Sequence, residues 1–181
     1  MNVCVFCSSC DAVADEYKDD AMQLGKWLAE QGHTLVYGGA TGGLMDAVAK
    51  GASAADGEIV GIIPDSIVER GRQSKYPTQL FQVGDMSERK AMLKEYADLF
   101  VVLPGGIGTL DEMTDVLTSC IVGEMQKSTI IYNPNGYWAG WLMQVERLKA
   151  EHTLKDLTAC DIRIAETNEQ LIKILQTLAA E

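Results

Sequence analysis

The sequence predicts an α/β fold: a single domain built on a doubly wound parallel sheet of about seven strands flanked by helices. Apolar or β-branched runs alternate along the chain with segments of helical spacing, which is the order that β-α-β units require. The strand segments are apolar on both faces, so we expect helices to cover both sides of the sheet. The pattern therefore favours a Rossmann-like architecture, in which ligands bind at the carboxyl ends of the strands.

The predicted elements follow one another without an internal repeat or a linker. The strands are Val3–Cys7, Thr34–Tyr37, Ile59–Ile63, Leu80–Val83, Leu99–Leu103, Thr129–Tyr132 and a weaker one at Ile162–Ala165. The helices span residues 15–31, 43–55, 87–97, 109–122, 137–151 and 168–180. The longest irregular connection is Asp65–Thr78, which has room for a short helix and is of the length typical of lids and binding loops.

Length and charge narrow the classes of function. The chain has 181 residues, which fits one domain spanning residues 1–181. Its 15 Lys and Arg against 26 Asp and Glu give a net charge of −11, which opposes binding to nucleic acids and anionic membranes. No apolar run approaches the ~20 residues of a membrane span, and the amino terminus enters a strand pattern directly, so we expect a cytoplasmic protein. Two histidines and five cysteines favour reduced thiols and no metal site.

The strongest motif is a glycine-rich segment, PGGIGTLDE at residues 104–112, directly after a predicted strand. Its three glycines let the backbone approach an anion, and the N-terminus of the following helix adds partial positive charge. The segment is therefore interpreted as a phosphate cradle. The alternative is a capping box, with the helix beginning at Thr109 and Glu112 reaching back to it; Glu112 is compatible with both roles.

A second glycine cluster, GGATGG at residues 38–43, follows the strand Thr34–Tyr37. It does not match the dinucleotide-binding fingerprint, because Ala40 stands where the second glycine is required. It is not a Walker loop either, since Leu44 stands where that loop has lysine. A flexible turn is the plain alternative. Two glycine-rich strand ends in one sheet nevertheless favour a shared mononucleotide site.

Arg89 is placed unusually for a cation. It shares a helix face with Leu93 and Tyr96, and it lies near a helix N-terminus, where the macrodipole disfavours positive charge. A bound anion or Glu112 would offset both costs. The alternative is that Arg89 and Lys90 are solvated surface charges.

The first strand leads into a run of cysteines and serines. The spacing Cys4-x-x-Cys7-x-x-Cys10 imitates part of an iron–sulfur motif, but no fourth cysteine follows at the required spacing. These cysteines are therefore interpreted as core packing and loop. Ser8 and Ser9, at the end of the strand, are better suited as hydroxyl donors to a phosphate.

Taken together, these motifs resemble the Lonely Guy family, the cytokinin riboside 5′-monophosphate phosphoribohydrolases. The resemblance is carried by Arg89-Lys90 combined with Pro104-Gly105-Gly106-x-Gly108-Thr109-x-x-Glu112. It extends from Val5-Phe6-Cys7-Ser8-Ser9, through the glycine cluster and Leu44-Met45, to about residue 154. Many such proteins carry the label lysine decarboxylase, but no feature of this sequence indicates pyridoxal phosphate or decarboxylation.

The resemblance implies hydrolysis of the N-glycosidic bond of a purine ribonucleoside 5′-monophosphate, AMP or an N6-substituted AMP, to free base and ribose 5-phosphate. It implies catalytic roles for Arg89 and Glu112 and no need for a metal or redox cofactor. Glu112 would stabilise the oxocarbenium-like ribose and orient water, and Arg89 would balance charge on the departing base. The residues expected to bind substrate are Ser8, Ser9, Gly39, Gly42, Gly43, Met86, Lys90, Gly105, Gly106, Gly108 and Thr109.

The resemblance also implies a homodimer or larger homo-oligomer whose site lies near the subunit interface. The chain departs from the usual family residues at three positions: family members commonly have Gly in place of Ser8, Trp in place of Ser119 and Glu in place of Gly71. Two other classes stay open. One is a non-catalytic carrier of a nucleotide or of molybdenum cofactor on the same fold, and the weaker one is an NAD-dependent enzyme. A carrier has no evident use for a carboxylate beside the ribose, which favours the hydrolase.

Overall fold

A seven-stranded parallel sheet forms the centre of the computed structural model, which describes residues 1–154 and 157–180. All neighbouring strands in it run parallel, in the order β4-β3-β2-β1-β5-β6-β7 once numbered along the chain. The predicted α/β class is confirmed. The strands are β1 (Asn2–Phe6), β2 (Thr34–Tyr37), β3 (Ile59–Pro64), β4 (Gln79–Val83), β5 (Leu99–Val102), β6 (Thr129–Tyr132) and β7 (Ile162–Ala165).

The helices connect these strands and lie on both faces of the sheet. They are α1 (Asp15–Glu30), α2 (Gly43–Ala54), α3 (Asp65–Val68), α4 (Met86–Tyr96), α5 (Ile107–Ile121), α6 (Ala139–Ala150) and α7 (Asn168–Ala179). The short helix α3 lies in the long connection Asp65–Thr78, for which the sequence allowed a short helix. In the described part of the chain, no helix is both long and apolar enough to cross a membrane. Residues 155, 156 and 181 of the expected domain lie outside the described residues.

Two apolar cores pack against the opposite faces of the sheet. The pleat of β1 divides its side chains between them: Val3 and Val5 face the core beneath α1, α2 and α7, and Cys4 and Phe6 face the core beneath α4 and α5. Such burial on both faces is the reason why the central strands read as continuous apolar runs. Helix side chains in these cores include Leu24, Leu28, Val48, Leu171 and Leu175 on one side and Leu93, Met113, Val116 and Leu117 on the other.

The strand order reverses next to β1. The chain runs from β1 outward through β2, β3 and β4, and then crosses back so that β5 pairs with the other side of β1. At such a reversal the loops that follow the two central strands diverge to opposite faces and leave a crevice at the carboxyl edge. The loop after β1 and the PGGIG segment after β5 therefore border this crevice from its two sides. They remain in contact at its base, where the Ser8 N–H donates to the Pro104 carbonyl at 3.1 Å.

Candidate active site

A cavity of about 210 Å³ opens at the carboxyl ends of β1 and β5. It combines the loop after β1, the start of α2, the N-terminal turns of α5 and one side chain from α4. Most of the residues predicted to do chemistry or hold phosphate are brought together here. The lining residues are Cys7, Ser8, Ser9, Cys10, Met45, Arg89, Gly106, Gly108, Thr109 and Glu112.

A buried ion pair lies in this cavity. The Arg89 Nη1 donates to Glu112 Oε1 at 2.7 Å, and the two residues are only 5% and 4% exposed. The alternative of a solvated Arg89 is wrong. The expectation that Glu112 offsets the burial of Arg89 is confirmed. Because little solvent reaches the pair, the attraction between its charges is only weakly screened, but the desolvation cost of both groups is large.

The backbone fixes the Arg89 guanidinium on two further sides. Its Nε donates to the Ile62 carbonyl of β3 at 3.1 Å. At the end of β2, a Cβ on Gly38 would lie 2.0 Å from Arg89 Nη2, so only glycine leaves room for the guanidinium there. Gly38 was part of the glycine cluster read from the sequence, but its role is to make space for a side chain 51 residues away, which no local pattern reveals.

Acidic residues stabilise the N-terminus of α4. Asp85 is the N-cap, and its carboxylate accepts from the N–H groups of Ser87 and Glu88 at 2.8 and 2.9 Å. The Glu88 carboxylate accepts from the Gly84 N–H at 2.8 Å. These two carboxylates offset the positive end of the helix macrodipole, which makes Arg89 tolerable one turn into the helix.

Burial changes the protonation of Glu112. Desolvation raises the pKa of its carboxyl, and the charge and hydrogen bond of Arg89 oppose that shift. Glu112 therefore takes up a proton at a higher pH than an exposed glutamate does. A carboxylate with a raised pKa in a cavity is a common feature of groups that handle protons in catalysis.

The helix that carries Glu112 begins two residues earlier than the sequence predicted. Gly106 is its N-cap, α5 starts at Ile107, and no side chain caps it within the described residues. The capping box between Thr109 and Glu112 is therefore wrong: both residues lie inside the helix, and Glu112 pairs with Arg89 instead. The amide groups of the first turn have no intrahelical partner and lie beside the cavity, which makes this helix end suited to an anion.

Three kinds of functional group border this cavity. A carboxylate with a raised pKa, a guanidinium and an uncapped helix N-terminus all border the same cavity. Two thiols border it as well, but burial raises the pKa of Cys7, so its thiol stays protonated and offers no thiolate nucleophile. Among the described residues, no group of three or more His, Cys, Asp or Glu side chains is arranged to hold a metal ion.

Comparison with known proteins agrees with the motifs. The sequence model of the family described as "Possible lysine decarboxylase" matches residues 45–175. A cytokinin riboside 5′-monophosphate phosphoribohydrolase of Arabidopsis thaliana is 32% identical over 177 residues, covering 98% of this chain and 82% of the relative. Another such enzyme, of Oryza sativa subsp. japonica, is 32% identical over 179 residues, covering 99% of this chain and 74% of the relative. This chain belongs to the Lonely Guy family.

A solved structure outside these enzymes shares the fold. The molybdenum cofactor carrier protein of Chlamydomonas reinhardtii has a TM-score of 0.75 at 20% identity, covering 99% of this chain and 98% of that chain. At this identity the likeness supports the architecture alone.

The second glycine cluster packs against the loop after β1, which lines the Lonely Guy site, and does not line the cavity itself. A Cβ on Gly43 would lie 2.6 Å from the Cys10 carbonyl oxygen, and one on Gly42 would lie 2.6 Å from the Ser9 carbonyl oxygen. The Gly43 N–H donates to Asp11 at 2.9 Å, and the N–H groups of the next two residues donate to the Ser8 carbonyl. The start of α2 is thus occupied by the protein itself. Substrate binding by Gly39, Gly42 and Gly43 stays a prediction.

Other residues predicted from the Lonely Guy motif lie at the edge of the cavity or away from it. Lys90 forms ion pairs with Asp111 at 3.0 Å and with Asp115 at 3.8 Å, and the hydrogen bond to Asp111 raises its pKa. The Met86 sulfur lies 4.0 Å from Arg89 Nη1. Their contact with substrate stays a prediction.

Of the three positions at which the chain departs from the usual family residues, Ser8 lines the cavity, and Ser119 and Gly71 do not. Ser119 is buried near the end of α5, where its hydroxyl accepts from Lys94 Nζ at 3.0 Å. Gly71 is exposed in the loop after α3 and has a φ of +68°, which suits glycine. Cys7, Cys10 and Met45, in contrast, line the cavity, although the sequence offered no signal beyond packing for them.

Proposed function

We propose that this protein hydrolyses the N-glycosidic bond of a purine ribonucleoside 5′-monophosphate, AMP or an N6-substituted AMP of the cytokinin type. The products are the free base and ribose 5-phosphate. The observation that carries the proposal is the buried Arg89–Glu112 pair beside the uncapped N-terminus of α5 in one cavity. Membership of a family whose named relatives are phosphoribohydrolases supports it.

Glu112 supplies the negative charge that the reaction needs at the ribose. As the bond to the base breaks, positive charge develops on C1′ and the ring oxygen, and a nearby carboxylate stabilises that charge. The same carboxylate accepts a proton from the attacking water, whose hydroxyl adds to C1′. Its raised pKa brings it closer to neutral pH, which improves proton transfer.

Arg89 acts at the opposite end of the breaking bond. The electron pair of the N-glycosidic bond leaves with the purine, and a guanidinium beside the base stabilises the developing negative charge until the base takes up the proton that Glu112 removed from water. The Ile62 carbonyl, the space at Gly38 and Glu112 hold the guanidinium in one place, so little reorganisation is needed during the reaction.

The N-terminal turn of α5 supplies the binding site for the 5′-phosphate. Gly106, Gly108 and Thr109 border the cavity there, and the absence of side chains on the two glycines lets a phosphate approach the amide groups. Ser8 and Ser9 line the same cavity and add hydroxyl groups. Binding energy from the phosphate orients the ribose against Glu112.

A homodimer would complete the site, and we include it in the proposal. The cavity of about 210 Å³ is smaller than the ~300–1,000 Å³ typical of sites that enclose a small molecule, so a single chain leaves part of a nucleotide uncovered. Ile107, beside the cradle, is 82% exposed and offers apolar contact for a partner. Sedimentation velocity at several protein concentrations tests this assembly.

The function is tested by following release of free base from AMP, N6-substituted AMP and adenosine by chromatography. Monophosphates are expected to react, and adenosine is expected not to, because it lacks the group that the cradle orients. Equal turnover of AMP and adenosine would contradict the role of the cradle. Tight binding of AMP without any release of base would instead favour a carrier.

A further inference from the structure

The Tyr137 side chain is tied to the backbone of the PGGIG segment. Its hydroxyl donates to the Gly105 carbonyl at 2.9 Å. The ring is held by edge-on contacts with Tyr17 and Trp138, with centroids 5.8 and 5.0 Å away. Tyr137 lies in the turn after β6, 32 residues from Gly105, so this contact joins two loops at the carboxyl edge of the sheet.

The bond from Tyr137 sets the direction of one peptide group. In a trans peptide, the carbonyl and the following N–H point to opposite sides, and the described chain contains no cis peptide. Because the Gly105 carbonyl faces Tyr137, the Gly106 N–H points away from Tyr137. A direction away from Tyr137 is compatible with the cavity side, because Gly106 lines the cavity and Tyr137 does not.

Glycine at position 105 makes this restraint necessary. A Cβ on Gly105 would lie 2.0 Å from Thr109 Oγ1, so packing against α5 requires glycine there. Two consecutive glycines place no side-chain limit on rotation of the peptide between them, because neither residue has a Cβ. The Tyr137 hydroxyl adds a direct restraint on the carbonyl of that peptide.

We infer that Tyr137 is a positioning residue for the 5′-phosphate: it fixes the Gly105–Gly106 peptide so that the Gly106 N–H donates to a phosphate bound at the start of α5. This inference rests on the proposed function. It makes Tyr137 a determinant of the selectivity for phosphorylated over unphosphorylated ligands, although its side chain does not line the cavity.

Tyr137→Phe tests the inference, because it keeps the ring packing and removes only the hydroxyl. Binding of ribose 5-phosphate, measured by calorimetry, is expected to weaken roughly tenfold, as for the loss of one hydrogen bond to a charged group. KM for AMP is expected to rise by a similar factor with little change in kcat, and binding of adenosine is expected to stay the same. The matched control is Tyr132→Phe, whose hydroxyl donates to Asp20 at 2.6 Å outside the cavity lining.

The outcomes separate this inference from the proposed function. If Tyr137→Phe binds ribose 5-phosphate like the parent protein, or loses affinity for adenosine and ribose 5-phosphate equally, Tyr137 does not position the phosphate. A parent protein that fails to bind ribose 5-phosphate overturns the inference as well. A parent protein that binds ribose 5-phosphate but releases no base refutes only the hydrolase, because the calorimetric comparison does not depend on turnover.

Discussion

At the scale of single residues, the ion pair between Arg89 and Glu112 determines what a substitution in the cavity costs. Moving a charged group from water into a protein interior costs roughly several kcal/mol. The attraction between two buried charges often offsets only part of that desolvation cost. Such a pair adds little stability on balance. Its position in a cavity beside an uncapped helix end, with the pKa of Glu112 raised, therefore points to function as the reason for it.

Glu112→Gln is expected to abolish most of the activity and to lower stability. Loss of the carboxylate removes a charge worth about 3 kcal/mol in the transition state, on the order of a hundredfold in rate. It also leaves the buried Arg89 without a counter-ion, which costs on the order of 3 kcal/mol of unfolding free energy. Base release from AMP and urea denaturation measure the two effects, with Glu95→Gln on the exposed face of α4 as the control.

If Glu112 capped the helix, glutamine would keep that cap, and the melting temperature of Glu112→Gln would stay unchanged. If Glu112→Gln cleaves AMP at the parent rate, the carboxylate is structural and the carrier becomes the better hypothesis. Retained binding of AMP in the variant would show that the loss of activity comes from the chemical step.

Gly38→Ala is expected to displace the guanidinium of Arg89 without touching the substrate. The added Cβ would lie 2.0 Å from Nη2, so the side chain must move, and misplacing a catalytic group by about 1 Å costs up to roughly a hundredfold in rate. The decisive measurement is a double-mutant cycle with Arg89→Ala, itself expected to release base much more slowly. In that background Gly38→Ala should change the rate by less than about twofold, because the group that it displaces is gone. Equal losses in both backgrounds would mean that Gly38 acts independently of Arg89.

At the scale of elements, α5 combines the two halves of the site. Its first turn presents amide groups to the cavity, and Glu112 projects from its second turn. Gly106 and Gly108 have nothing within 4 Å of where a Cβ would be, so no packing requirement explains these two glycines. Gly105, in contrast, is required by its contact with Thr109. Packing therefore accounts for Gly105 in this motif, but it does not account for Gly106 and Gly108.

Gly108→Ala is expected to raise stability and lower affinity. Gly108 is the second residue of α5, and alanine there gains up to about 1 kcal/mol of helix propensity without a clash. If phosphate lies against this turn, the methyl group obstructs it, and KM for AMP should rise about tenfold or more. The matched control is Gly140→Ala, at the second residue of α6 and equally unobstructed, which should be stabilised without a change in KM. Equal KM values in the two variants would place the phosphate elsewhere.

The elements themselves were largely predictable, because their signals are local. Both the alternation of strands and helices and the apolar stripe of α5 follow from periodicity, and β2, β6 and β7 have the predicted bounds. The start of α5 was misplaced because Thr109 is a strong N-cap residue type, whereas the structure uses Gly106. Arg89 was found because a cation on an apolar helix face is a local anomaly.

The contacts that complete the site were not predictable from one sequence. Gly38 and Tyr137 act through residues 51 and 32 positions away, and neither violates any local rule of its own element. The roles of these two residues become visible only when the sheet brings the carboxyl ends of its strands together. Long-range contacts of this kind leave no periodic trace in the sequence.

At the scale of the whole molecule, the charge distribution opposes the ligand that the site favours. The chain carries a net charge of −11, and two cations at the cavity are already paired, Arg89 with Glu112 and Lys90 with Asp111. The proposed phosphate site therefore depends on the backbone amides of one helix end, within a negative overall field. Such a site suits a single phosphate group that enters the crevice, and it offers nothing to the many phosphates of a polymer.

Polynucleotides are therefore expected not to compete with AMP. Affinity for a nucleic acid depends on basic side chains that replace the counterions of several phosphates, and a protein with 26 acidic against 15 basic residues repels a polyanion instead. Base release from AMP should be unaffected by single-stranded polyadenylate at equal nucleotide concentration, whereas ribose 5-phosphate should inhibit it competitively. Raising the salt concentration should not uncover inhibition by the polymer, because screening removes repulsion without creating a binding surface. Inhibition by polyadenylate that weakens steeply with salt would contradict this, since that dependence is the mark of phosphate contacts by basic residues.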